Sequence, residues 1–442
     1  MTTSRNSRAG LTTATKADLI ATPKTPVTTP ALSAGLLIAI LLVAANLRVT
    51  LTGVGTLLPA IEHDTGLTAS EGGVLSTLPL FVFAVTSPFV GRTSHRVGTT
   101  RLLVAALAVL AAGTVIRSLP SLACLFLGTV ILSVAIAVGN VLLPTVIRTH
   151  VPGPRVHTVS ALYVTAMGMV AALSSGISVP LAEALPGTWH SALAWGVVVA
   201  VAALAVWLPR LRGSRPDGGV RSRGTHARTP WRSWLAWQVS FFMGLQSLAF
   251  YTAVAWLPSI LGQQGMSTTS AGWMLFYYQL VALVTSMLLP LITRGHHDQR
   301  FAAAAGSAIV AAGFALLLLF PALALAACTL LGLGAGACLV LALSFQSQRA
   351  TGPSETTALA GMAQSIGYLV AAAGPLLLGV LHDTTGRWTG ALLLLTALSL
   401  VMAAAGYGAG RDRHVRTRPD RETGERRPGH IGPDAGNAES AP

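Results

Sequence analysis

SAGLLIAILLVAANLRVTLTGVGTLLP, residues 33–59, is a long apolar run that carries a single charge, Arg48. The hydrocarbon core of a bilayer is about 30 Å thick, so a helix needs roughly 20 predominantly apolar residues to cross it. The run is long enough. Lipid offers no partner to an unpaired backbone amide, so the run must be a helix, and it is too long for a barrel strand. Working outward, eleven further runs of the same kind follow, at 70–90, 101–119, 121–148, 157–182, 189–209, 234–261, 270–293, 300–320, 322–348, 356–381 and 388–408. Over the 442 residues, 52% are apolar and 10% charged. A soluble domain carries about 25% charged residues, so most of this chain does not meet water. The expected fold is an all-α integral membrane protein with twelve transmembrane helices.

The charges set an orientation. With the N-terminus in the cytoplasm, the inside loops hold fifteen arginines, among them Arg92, Arg96, Arg101, Arg148, Arg155, Arg294 and Arg349. The outside loops hold two, Arg117 and Arg387. Basic residues concentrate on the cytoplasmic side of membrane proteins, so both termini are expected there. The same bias accounts for the net charge of +14 as a topology signal rather than a nucleic-acid surface. Residues 1–32 read as a polar cytoplasmic tail with no cleavable leader, 210–233 as a basic, Gly/Pro-rich linker, and 409–442 as a charged, disordered tail.

The linker divides six spans (33–209) from six (234–408), and the halves repeat. A constant shift of 199 places Pro59 on Pro258, Gly66 on Gly265, Gly73 on Gly272, Arg101 on Arg300, Gly187 on Gly386 and Trp189 on Trp388. Two parallel six-helix pseudo-repeats of this kind place a solute site at their interface, near mid-membrane.

Arg48 lies near the middle of its span. An arginine there costs about 2.5–3.5 kcal/mol on insertion scales, so something must compensate it. Every Asp and Glu falls in a loop, at a span end or in a tail, and the repeat sets Ser247 opposite Arg48. The span end is about eleven residues away, roughly 16 Å, too far for the side chain to reach water along the helix. A polar cavity and an anionic or electronegative ligand are favoured over a purely structural role. The other mid-depth polar groups are neutral. Gln246, Ser247 and Tyr251 lie in the seventh span, Gln364 and Tyr368 four apart in the eleventh, Asn140 in the fourth and Gln279 in the eighth. Such groups serve as interhelical glue as often as ligand contacts; depth tips Gln246, Gln364 and Tyr368 toward a ligand. Gly332, Gly334 and Gly336 lie inside the tenth span and read as close helix packing, not a nucleotide loop.

No enzyme is expected. The histidines sit in loops and at span ends, no nucleophile set or carboxylate pair is visible, and the three cysteines (Cys124, Cys328, Cys338) show no metal or disulfide spacing. No metal and no cofactor is expected.

With these residues in place, the chain resembles the major facilitator superfamily. GRTSHRVGTTR, 91–101, is similar to the signature between that superfamily's second and third helices. His95 stands where an acid is usual, and Thr99 and Thr100 where a basic pair is usual. That loop braces one gating state, which makes Gly91, His95, Arg96, Gly98 and Arg101 the expected gating residues. Within the superfamily, AANLRVTLTGVGTLLP, AVGNVLLP, MGLQSLAFYTAVAWLPSIL and ALAGMAQSIGYLVAAAGPLLLGVLHDTTGRW resemble the cyanate / 2-nitroimidazole permease family. The resemblance implies uptake or exchange of small, often anionic or nitrogen-rich solutes; alternating access by a monomer in a bacterial inner membrane is the expected mode. It points to Asn46, Arg48, Asn140, Gln246, Tyr251, Gln364 and Tyr368 as the substrate-binding set. A multidrug or metabolite efflux antiporter of the same fold is the alternative. A non-transporting membrane sensor or scaffold is the alternative of another class.

Overall fold

A computed structural model describes residues 33–213, 230–293 and 298–415. The expected tail 1–32, most of the linker 210–233 and the tail beyond 415 lie outside the described residues. Among the described residues, twelve helices are long and apolar enough to cross a membrane. They are α1 (Ala34–Thr65), α2 (Ala69–Val97), α3 (Thr99–Arg117), α4 (Leu122–His150), α5 (Val156–Ala184) and α6 (Thr188–Leu211) in the first half. The second half holds α7 (Trp234–Gln263), α8 (Thr268–Ile292), α9 (Arg300–Leu319), α10 (Ala324–Gln348), α11 (Pro353–Thr385) and α12 (Thr389–Ala409). Large apolar side chains such as Phe81, Phe89, Val198, Ile292 and Leu369 are exposed, as a lipid-facing surface requires.

The repeat is written into the turns. α1 ends at Gly66 (φ 72°) and the α7 turn passes through Gly265 (φ 95°), each in a left-handed conformation that glycine adopts without a Cβ clash. Two residues later, Thr68 and Ser267 cap the next helices through their hydroxyls. Gly187 (φ 92°) and Gly386 (φ 67°) form a second matched pair, each followed by a buried tryptophan, Trp189 and Trp388. All four pairs stand 199 positions apart, so the two halves are structural copies.

α10 is wedged between α8 and α9 at its glycines. A Cβ on Gly336 would lie 2.2 Å from the Ala282 carbonyl oxygen, and one on Gly334 2.7 Å from that of Gly306. The expected close packing is therefore met. At the bundle end where α1 begins and α12 ends, Arg349 is buried and donates to the Ala409 (3.0 Å) and Gly410 (2.9 Å) carbonyls, which ties α10 to the end of α12.

The halves meet chiefly through α2 against α11 and α5 against α8. At the opposite end of the bundle they are latched. The Asp383 carboxylate in the last turn of α11 accepts from the backbone amides of Ala69 (2.9 Å) and Ser70 (2.8 Å) in the first turn of α2. A carboxylate at a helix N-terminus satisfies amides the helix leaves unpaired and meets the positive end of its dipole. Glu183 accepts from Thr269, 3.0 Å, and Thr77 donates to the Ala372 carbonyl, 2.8 Å. Gly55 and Gly379 sit so close to the opposite half that a Cβ would lie 2.0 Å from the Val254 oxygen and 2.3 Å from the Ala69 oxygen.

Candidate functional site

α1 does not run straight. It is interrupted at Gly53 into Ala34–Thr52 and Val54–Thr65, a break that the unbroken apolar pattern of 33–59 does not reveal. The carbonyls around the break accept side-chain donors from other helices. Ser174 Oγ reaches Val49 (2.9 Å), Ser175 Oγ reaches Thr52 (3.2 Å), and an Arg117 guanidinium nitrogen reaches Thr50 (2.6 Å). Gln279 Nε2 donates to Ser175 Oγ across the halves at 2.7 Å. Gln279 thus makes an interhelical contact, and it also lines the cavity described next, with its Oε1 unpartnered among the described residues.

Beside the break lies a cavity of about 400 Å³, walled by both halves. Arg48, Asn140, Gln246, Tyr251, Gln364 and Tyr368 all line it, so six of the seven residues expected to bind solute are brought together. Arg48 is half-buried and, among the described residues, its guanidinium makes no hydrogen bond or ion pair. The Tyr368 phenol lies within electrostatic reach of Arg48 and Tyr251, and its ring meets Phe83 edge-on at 6.5 Å. Ser247 donates to Gln246 Oε1 at 3.3 Å. The side chains of Asn140 and Gln364 have no hydrogen bond to the protein among the described residues. Polar groups this deep are ordinarily paired, so the wall holds spare donors and acceptors.

The seventh expected residue is placed elsewhere. Asn46 is fully buried off the cavity, and its Nδ2 donates to Leu42 O (2.8 Å) and Val199 O (3.0 Å), tying α1 to α6. Residues two apart on a helix point about 200° apart, so Asn46 and Arg48 do not share a face. The expectation of a solute contact from Asn46 is corrected to a packing role.

Arg117 does not stand in the outside loop where the sequence pattern places it but ends α3, buried. It is 1% exposed and is among the residues that line the same cavity as Arg48. The available signal was its sidedness, since an arginine in a loop set otherwise almost free of them runs against the positive-inside bias.

Of the expected gating residues, Gly91, Arg96 and Arg101 are exposed at the end of α2 and start of α3, and neither arginine is in an ion pair among the described residues. His95 lies in the last turn of α2, and Gly98 takes φ 93° to turn the chain into α3. Among the described residues no group of His, Cys, Asp or Glu could hold a metal ion.

Comparisons with known proteins agree with this architecture. A 2-nitroimidazole transporter of Escherichia coli (strain K12) is 42% identical over 384 residues, 86% of this chain and 96% of that protein. The cyanate transport protein CynX of the same organism is 27% identical over 365 residues, 80% of this chain and 91% of that one. A crystal structure of a bacterial homologue of the human lysosomal transporter Spinster, inward-facing and unoccupied, shares the fold with a TM-score of 0.71 at 13% identity, covering 85% of this chain and 96% of that one. The sequence pattern described as Major Facilitator Superfamily matches residues 36–375, three-quarters of the chain. Twelve helices in two copied halves, a cavity between them and this match make the chain a membrane transporter of the major facilitator superfamily.

Proposed function

We propose that this transporter carries a small anionic or nitrogen-rich solute of the cyanate or nitroimidazole kind, held in the central cavity chiefly by Arg48. The observation that carries the reading is the Arg48 guanidinium on the cavity wall with no protein counter-charge among the described residues. A buried charge left unpaired is costly, and a visiting anion removes that cost with charge-assisted hydrogen bonds. Asn140, Gln246, Tyr251, Gln364 and Tyr368 complete the shell, each offering a donor or acceptor to a small planar molecule. The names of the 2-nitroimidazole and cyanate relatives support this class.

Transport proceeds by alternating access. The contacts of Asp383 with the α2 N-terminus and the tight approach of Gly55 and Gly379 close the latched end of the bundle. Arg96 and Arg101 at the other end, exposed and without an ion pair among the described residues, fit a state in which the signature loop is not clasped. With the termini cytoplasmic and the protein a monomer in a bacterial inner membrane, this is the inward-facing state. Among the described residues no carboxylate lines the cavity, so a proton-driven cycle lacks its usual relay. Facilitated diffusion, exchange, or entry of a solute that carries its own proton fits the wall better.

The test is uptake of labelled cyanate and 2-nitroimidazole into proteoliposomes. Arg48→Ala should abolish it with expression and thermal unfolding little changed. Arg48→Lys should stay poor, because an ammonium cannot reproduce the planar fork. Full uptake by Arg48→Ala across a panel of small anions removes the reading.

A further inference from the structure

We infer that Arg117 is a second cationic anchor for the solute, so that the site takes a small solute bearing a full negative charge rather than a merely electronegative one. The inference rests on the anion reading of the cavity and deepens it. Arg117 closes α3, yet the residue is only 1% exposed and lines the same cavity as Arg48. A guanidinium has five N–H donors. Here one nitrogen donates to the Thr50 carbonyl at 2.6 Å and the buried Nε has no partner. Among the described residues no carboxylate pairs with it.

A purely structural role does not account for this arrangement. The carbonyls flanking the α1 break are met by serine hydroxyls at Val49 and Thr52, so a neutral donor suffices for such a group. A cation at Thr50 brings a desolvation cost that one carbonyl does not return. The placement is also enforced by packing. A Cβ on Gly128 of α4 would lie 2.3 Å from the Arg117 backbone nitrogen, so α3 and α4 approach closely where the arginine turns inward. Arg48 and Arg117 thus line one cavity from α1 and α3, and among the described residues no carboxylate stands on its wall. Planar forks of this kind match a compact anion.

The test uses the full chain in nanodiscs and two probes: cyanate, which is charged, and 1-methyl-2-nitroimidazole, which has no ring N–H to lose and stays neutral. Arg117→Gln can still donate to the Thr50 carbonyl. It should weaken cyanate binding by about tenfold to a hundredfold, while the neutral probe changes by less than about threefold. Equal affinity of wild type and Arg117→Gln for cyanate overturns the inference, as does an equal loss for both probes. Should Arg117→Gln fail to fold, Arg117→Lys decides. A selective loss for cyanate supports the anchor, and an unchanged ratio of the two affinities overturns it. Arg48→Gln in the same assay separates the two claims. If it weakens cyanate and Arg117→Gln does not, the anion reading stands and the second anchor falls. If Arg117→Gln weakens cyanate and Arg48→Gln does not, the anchor stands and the role given to Arg48 falls.

Discussion

Asn46 and Arg48 are two residues apart in one sequence motif and do different work. Arg48 faces the cavity; Asn46 holds α1 to α6 through two carbonyls. Asn46→Ala should therefore lower stability by about 1 kcal/mol, the scale of an interhelical hydrogen bond in a membrane, and leave the KM for uptake unchanged. Thermal unfolding and uptake kinetics of the variant separate the two effects; a KM raised tenfold at unchanged stability would return Asn46 to the binding site. The mid-membrane arginine was legible because its cost is read directly from position in an apolar run. The direction of its neighbours was legible too, since a helix turns 100° per residue, but only if each polar residue is placed on its face rather than at its depth. Arg117 was not legible in the same way, because a residue at a span end can turn its long side chain inward, and sequence position does not record which way it goes.

At the scale of the element, α1 is the helix on which the site depends. Its break at Gly53 turns three carbonyls toward α3 and α5, and those helices answer with Arg117, Ser174 and Ser175. A Cβ on Gly53 would lie 2.3 Å from Ser178 Oγ and 3.2 Å from Ser174 Oγ. Gly53→Ala is expected to push α1 from α5, at about 1–3 kcal/mol of overpacking, and to lower uptake by shifting Arg48 from its place. Thermal unfolding and uptake at the same expression level check this, and a wild-type value for both would mean that the break is incidental. The number and order of the helices were plain in the sequence, since a 20-residue apolar run in lipid has one solution. The break was not, because both of its arms are apolar and helical and only the tertiary partners of the freed carbonyls mark it.

For the whole molecule, two copied halves are closed at one end by short polar contacts and glycine-mediated approach. Asp383 is the sharpest of these contacts, since it bridges α11 to the first turn of α2. Replacing the carboxylate by an amide keeps its size and removes the charge that meets the helix dipole. Asp383→Asn should shift the population toward the state open at that end by about two- to fivefold, the range expected of a dipole contact near 0.3–1 kcal/mol. Spin labels on the exposed positions Ala60 and Thr384 would report a longer distance in the variant, whereas an identical distance distribution would show that the latch does not bias the cycle. The repeat itself was readable from a constant 199-residue offset, and the four left-handed glycines show its physical basis: the turns, not the apolar spans, hold the sequence to one conformation.

The account turns on what neutralises Arg48, and a crystal of the protein grown with selenocyanate asks that directly. Selenium marks the anion by its anomalous scattering. An anomalous peak in the central cavity, with the anion within hydrogen-bond distance of the Arg48 guanidinium, is the predicted result. A cavity without that peak, together with Arg48 bonded to a carboxylate of the chain, would contradict it.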